Sequence, residues 1–355
     1  PSGYLAMCTN NLTDSAVTAG EHFNTVLYTG NATARSITGV GFAPDFVWIK
    51  RRDGVANNVI FDKVRGASQR LVVDTTGAEE QQTGNMPTDG FSIADGFKIG
   101  ASGNVINGNN MTYVAWCWKA NGSGSSNTNG SITSTVSANV DAGFSISTYT
   151  GTGSNATVGH GLSKAPEMVI CKRRNASEGW ATYHVGIASD AETDFMELHS
   201  TGAASDSNTR WNDTAPTTSV FSIGTHDSVN ASGSTYVSYA WHSVEGYSKI
   251  GSYTGNASTD GTFVYTGFRP MWIMTKATQR AEWWRIRDAV RDTDNPLNTH
   301  LEVNTGAEQV NNGVDIDILS NGFKLRSSDS GVNANGETFV YMAFAETQQK
   351  YANAR

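Results

Sequence analysis

The sequence predicts an all-β protein composed of three tandem β-sandwich domains, jelly-roll-like in the broad sense. Three observations predict it: a composition suited to strands joined by many turns, apolar strands with period-two alternation, and one ordered set of landmarks that occurs three times. Glycine supplies 37 of the 355 residues, and Ser, Thr and Asn are also abundant, while only 16% of residues are charged. Hydrophobic residues make up 38% and aromatics 10%, enough for folded domains whose strands expose one face and too much for a disordered chain. The length exceeds that of one ordinary core.

The landmarks recur in a fixed order. Tyr28-Thr29-Gly30, Tyr149-Thr150-Gly151 and Tyr253-Thr254-Gly255 come first. Gly41-Phe42-Ala43-Pro44, the looser Gly161 to Pro166, and Gly267-Phe268-Arg269-Pro270 follow, each leading into an apolar strand that ends at Lys50, Lys172 or Lys276. Next are Leu71 to Glu79, Met196 to Ser205 and Leu301 to Glu308, which share a Thr-Gly-Ala core. The closing strands are Thr112 to Trp118, Thr235 to Trp241 and Thr338 to Phe344. The lysines lie 122 and 104 residues apart, and Tyr113, Tyr236 and Phe339 lie 123 and 103 apart, so the landmarks keep register. A period this long suits a domain that closes its own core.

Alternation places Val114, Trp116 and Trp118 on one face, as it does Val237, Tyr239 and Trp241, and Val340, Met342 and Phe344. The opposite faces (Tyr113, Ala115, Cys117 in the first copy) are smaller and mixed. The bulky face is expected to pack on the facing sheet of the same sandwich. Proline suits the start of the next strand, and its terminal Lys is expected to mark the end that reaches solvent. Glu282 to Arg291 is the strongest helix candidate, although its counterpart Val59 to Ala67 carries β-branched residues and a Gly. The domain boundaries follow: a lead segment 1–23 after an upstream module, repeats at 24–120, 143–246 and 247–348, a Gly/Ser/Thr/Asn-rich linker at 121–142, and a tail at 349–355. The short second junction, Ser243 to Ser248, is expected to hold repeats two and three more rigidly than one and two.

Several functions are disfavoured. A net charge of -8 provides no basic field for nucleic acid, and no run of 18 apolar residues offers a membrane span. The polar opening, without an initiator Met, reads as part of a longer polypeptide and not as a signal peptide. Cys8, Cys117 and Cys171 are odd in number and lack CxxC spacing, so no disulfide framework is implied. No cofactor motif is present.

The motifs YTG, GFxPDFVWIK, FDxVRGA, TTGAE, DGF and TYVAWxWKA within Tyr28 to Ala120 resemble a domain that recurs in virion proteins of marine phages and cyanophages, often of the tail fibre-like kind. Repeats two and three replace the FDxVRGA run with Ala181 to Ala188 and Trp284 to Arg291. The resemblance implies a virion component at the particle surface, non-catalytic, assembling as a homotrimer with other virion proteins and touching a host surface glycan. It leaves open a capsid decoration or head-fibre protein. A polysaccharide depolymerase or a bacterial surface lectin is the remaining alternative.

Candidate sites are sparse. Asp315/Asp317 and Asp292/Asp294 read as solvated faces, because two glycosidase carboxyls must converge in space and not merely in sequence. His160, His184, His199, His226 and His242 lack metal-ligand spacing, and Asp292 to Asn295 lacks the Gly and terminal acid of a calcium loop. No catalytic or metal residue is assigned. Lys50-Arg51-Arg52 and Lys172-Arg173-Arg174 end equivalent strands, so Arg51, Arg52, Arg173 and Arg174 are candidates to meet an anionic glycan or an acidic neighbour, or are charges that resist edge pairing. The sequon-like Asn31, Asn155 and Asn256 read as turn residues. Trp180, Trp211 and Trp284 fall outside the well-matched strands and are the candidates for exposed stacking on sugars.

Overall fold

Alternating bulk along the three closing strands sets the architecture. The computed structural model describes residues 17–101 and 103–346; most of the lead segment with Cys8, and the tail 349–355, lie outside the described residues. Strands dominate, and they form three large antiparallel sheets, one for each set of landmarks. In each, the closing strand lies between the YTG strand and the Pro-led strand. The first sheet runs Phe23–Thr29, Thr112–Trp118, Phe46–Arg51, Val59–Asp62, Gln69–Val72, Glu80–Gln81. Registers repeat as well: Phe46 pairs with Trp118, Met168 with Trp241, and Trp272 with Phe344. All-β is therefore the fold class.

Each sheet has two buried faces. The mixed face of the first carries Val47, Ile49, Tyr113, Ala115 and Cys117 and packs on Ile37, Phe97 and Ile99 of a two-stranded ribbon, Arg35–Ile37 with Phe97–Ile99. Ribbons Ala156–Gly159 with Val220–Ile223, and Phe263–Tyr265 with Gly322–Leu325, take the same place in the other lobes. In the third lobe Phe323 of the ribbon meets Tyr253 and Tyr341 with ring centroids 6.0 and 5.5 Å apart. Sheet and ribbon form a small sandwich.

The bulky face does not pack within its own sandwich, contrary to the expectation from sequence. It points to the other two lobes, and one apolar cluster runs through all three. Trp118 is its hub: its ring centroid lies 6.3 Å from Trp241, 5.7 Å from Trp272 and 5.5 Å from Phe344. Phe46 meets Tyr239 at 4.8 Å, and Phe23 stacks on Phe344 at 4.7 Å. Bulk, and not identity, recurs at these positions because the rings fill a shared interior. Each buried aromatic contributes about 2–3 kcal/mol of transfer free energy.

Three further expectations are revised. Residues 121–142 are not a free linker: Ser125–Asn127 and Ser134–Asn139 extend the second sheet, with Ala138 and Val136 pairing with Ser145 and Ser147. Ser137 Oγ also accepts from the Asn121 backbone N–H at 2.7 Å. Glu282 to Arg291 is no helix; Arg285–Asp288 is a buried strand, because both its faces are covered. Lobes one and two are joined through the same interior as two and three, so the length of a junction does not set rigidity. Cys117 and Cys171 are buried and unbridged.

A core shared in this way predicts that the chain unfolds as one unit. An excised repeat spanning 143–246 is expected to lack cooperative thermal unfolding by circular dichroism. Trp118→Ala in the full chain is expected to cost about 3–5 kcal/mol, read as a lowered midpoint of a single transition.

Candidate functional site

The end of each Pro-led strand delivers a lysine not to solvent but into the neighbouring lobe. Lys50, Lys172 and Lys276 are 1%, 0% and 0% exposed, so the reading of a solvent-facing strand end is corrected. Lys50 Nζ donates to Thr305 O at 2.7 Å, Lys172 Nζ to Thr76 O at 3.0 Å, and Lys276 Nζ to Thr201 O at 3.3 Å. Those acceptors are the threonines of the three Thr-Gly-Ala turns. Lobe one thus reaches three, two reaches one, and three reaches two, closing a ring. Burial pushes each ammonium down to about 8.

A second tier of contacts follows the same rotation. Trp180 Nε1 donates to Val72 O and Thr75 O at 3.2 and 3.1 Å, Trp284 Nε1 to Glu197 O at 3.1 Å, and the equivalent Asn58 Nδ2 to Val303 O at 2.7 Å. A third tier joins Tyr239 Oη to Asp62 at 2.7 Å, Trp116 Nε1 to Asp288 at 3.2 Å, and His184 Nε2 to the Tyr341 carbonyl oxygen at 3.1 Å. The last pair departs in chemistry for a reason: Met342 stands where Tyr239 and Trp116 stand and donates nothing, so His184 takes a backbone acceptor. Asp62 and Asp288 are each also held by an arginine three residues on, Arg65 and Arg291.

These contacts account for most sequence candidates. Trp180, Trp211 and Trp284 are 0%, 2% and 1% exposed, which rules out stacking on an external sugar: two are posts between lobes, and Trp211 packs edge-on against Tyr183. Arg174 makes a two-pronged pair with Glu79 of lobe one at 2.8 and 3.0 Å, and Arg52 donates to Gln309 of lobe three at 3.2 Å. Burial raises Glu79, but Arg174 and Arg65 together hold its carboxyl below the usual range. Arg51 and Arg173 stay local, with Asp53 at 2.8 Å and Asp227 at 3.4 Å. The acidic neighbour of Arg174 is thus another part of this chain.

Sequence reasoning missed Asn107, Asn230 and Asn333. Each is fully buried, and each amide ties two loop carbonyls together: Thr33 and Gly100, Ser154 and Gly224, Ser258 and Ser327. The YTG tyrosines brace the same loops, because Tyr28, Tyr149 and Tyr253 donate to Ile106 O, Val229 O and Val332 O at 2.8 Å. The recurrence of these asparagines was the available signal.

On this frame the second lobe carries an open cleft of about 430 Å³ lined by Glu178, Thr209, Thr225, His226 and Asp227. Its origin is visible by comparison within the chain. In lobe three Arg285 spans the equivalent space, reaching Glu282 at 3.4 Å and Asp329 at 3.1 Å. Ala181 stands at that sheet position in lobe two and leaves the space unfilled. One wall is the turn of helix Asn208–Trp211, which has no counterpart among the described residues of the first and third lobes. Its Arg210 lies 4.2 Å over Phe195 and 3.6 Å from Glu197.

His226 caps the helix Asp227–Asn230, its Nδ1 accepting from Ser228 N at 3.0 Å. Burial, then the nearby Arg210, lowers its pKa, so the ring stays neutral at pH 7. The cleft therefore presents carboxylates and hydroxyls, a lining suited to hydroxyl-rich ligands. Among the described residues no cluster of metal-ligand type occurs.

The buried titratable groups give two pH predictions. A lysine whose pKa falls from 10.5 unfolded to about 8 folded destabilises the fold when charged, and that cost is relieved as pH rises from 8 toward 10.5. The stability of the wild type relative to Lys172→Met is therefore expected to rise over pH 8–10 by roughly 1 kcal/mol per unit, measured by urea unfolding. His160, His184 and His300 are held near 4 by burial, so the unfolded chain takes up protons first below 6.5. Stability is expected to fall between pH 6.5 and 5 with a slope approaching about 4 kcal/mol per unit, and His184→Gln should make that slope shallower.

No curated protein and no solved structure matches the chain. A family model does, over residues 18–348, a span that takes in all three lobes and the strands between them. The chain belongs to the family described as Domain of unknown function (DUF7483).

Proposed function

We propose that the chain is a structural and adhesive component of a phage virion, a tail fibre or spike module that attaches to the host surface by multivalent binding. The observation that carries this reading is the closed ring of lobes around one aromatic interior. Lysine posts and tryptophan posts hold the lobes in fixed mutual positions, and a rigid frame of this kind suits display. Several weak sites at fixed spacing act together through effective concentration. The lobes differ at their surfaces while their interiors match, which fits one scaffold bearing distinct contacts. The polar cleft of lobe two is one such contact, offering carboxylates and hydroxyls to a hydroxyl-rich ligand. The sequence resemblance adds the virion setting.

Within this reading the chain needs no homotrimer to present threefold geometry, since its own repeats supply an approximation to it. Association of three chains is a separate part of the proposal. Immunogold labelling of intact particles tests the location. Label on the tail at a few to tens of copies is expected; label over the capsid in the hundreds would favour a head decoration protein, and unlabelled particles would defeat the virion reading. Release of new reducing ends from host polysaccharide would instead favour a depolymerase.

A further inference from the structure

The ribbon of lobe three carries the two aromatic side chains that are exposed among the described residues. Strand Phe263–Tyr265 is buried only at Val264; Phe263 is 43% and Tyr265 64% exposed. In the other lobes the corresponding residues, placed by the pairing of Ile37 with Phe97 and of Val158 with Phe221, are Ser36 and Thr38, and Thr157 and Gly159. The lobe-two strand is also covered by the Ser131 to Ile132 segment, whereas Phe263–Tyr265 ends its sheet. Neither packing nor the shared fold accounts for two rings here.

The neighbours on the outer face of the ribbon are polar and flat. Lys324 lies opposite Phe263, Gly322 opposite Tyr265, and Asp317 opposite Lys324. A Cβ at Gly322 would collide with Val264 O and stand 3.1 Å from Phe263 Cε2, so the close approach of the two ribbon strands requires glycine there, and no side chain rises opposite Tyr265. Lys324 pairs with Asp260 at 2.8 Å, and Arg326 with Asp317 at 2.5 Å and with Asp260 at 3.7 Å. The Asp260 side chain is 83% exposed, and exposed pairs of this kind contribute little stability. They do fix ammonium, guanidinium and carboxylate groups beside the rings, with balanced charge.

We propose that this face is a binding site for a neutral oligosaccharide, with Phe263 and Tyr265 stacking on the C–H faces of pyranose rings and Lys324, Asp260 and Arg326 bonding to hydroxyls. Alternate side chains on a strand stand about 7 Å apart, a spacing on the scale of adjoining sugar rings. Two rings and the four charged groups Lys324, Arg326, Asp260 and Asp317 cover far less than the roughly 800 Å² per partner of a stable protein interface, and two cations balanced by two carboxylates give no preference for an anionic chain. The inference deepens the adhesive reading above and rests on it by naming a ligand class and a place.

The test uses the full chain, a printed array of neutral bacterial oligosaccharides, and host cells with and without periodate treatment. The double variant Phe263→Ser/Tyr265→Thr adopts the residues of lobe one, so its melting temperature should match the wild type. Binding to at least one oligosaccharide is expected, with a tenfold or greater loss in the double variant, retention in Tyr265→Phe and no change in Val55→Ser. Equal binding by the double variant would overturn the site while leaving adhesion standing. Cell binding that survives periodate, with no array signal, would overturn the ligand class alone. Binding to neither cells nor array would overturn the adhesive reading itself.

Discussion

Burial of the bulky strand faces against one another is the constraint on which the rest of the molecule depends. A sheet six or eight strands wide with large aromatics on one side cannot leave that side in water, and a two-stranded ribbon can cover only the other side. Three such sheets turned inward solve the problem together. Trp118 touches rings of both other lobes, and Phe46 and Phe23 continue the contact on either side. Removing water from this interior makes polar groups at its border expensive; the lysine, tryptophan and carboxylate tiers are paired there, while the indole N–H groups of Trp118, Trp241 and Trp272 stay without a hydrogen-bond partner among the described residues.

That border explains the most unusual feature of the chain, three buried lysines in equivalent places. An ammonium in an apolar setting is tolerated only where carbonyl oxygens surround it. Lys172 has Thr76, Arg173 and Glu178 as acceptors, and Lys276 has Thr201, Ala277 and Arg280. One of each set belongs to the next lobe, so closing the ring completes the set of acceptors and offsets part of the cost of burial. Polar groups at this seam specify which lobe meets which, while the aromatics supply most of the free energy. The substitutions at the third tier, Asp62 with Tyr239, Asp288 with Trp116 and His184 with a carbonyl, show the same geometry kept with different chemistry.

Much of this was legible in the sequence, and the limits of legibility have physical causes. Alternation located the closing strands and their bulky faces, because side-chain period is a local property. Nothing local states what the bulky face meets, and Trp116 looks the same whether it packs on its own sandwich or on a neighbour. The lysines were misassigned for the same reason: a terminal Lys ordinarily reaches solvent, and only the arrival of the next lobe's turn buries it. Asn121 to Asn139 has a linker's composition, yet Ser137 and Asn139 pair with Ile146 and Phe144 in the second sheet, and their side chains bond to the Asn121 N–H and the Lys119 carbonyl oxygen. Trp180 and Trp284 lie outside the strongest landmarks but end as posts. The cleft of lobe two needed a comparison between Ala181 and Arg285 whose meaning is spatial. A family match that covers all three lobes as one unit agrees with an interior that belongs to none of them singly.

Native-state hydrogen exchange tests the central claim most directly. If the three closing strands share one interior, the slowest amides of Thr112–Trp118, Thr235–Trp241 and Thr338–Ala345 exchange only by global opening, at one common free energy and with one denaturant dependence. Three separate opening free energies, one for each strand, would contradict a shared core and return the molecule to three independent domains.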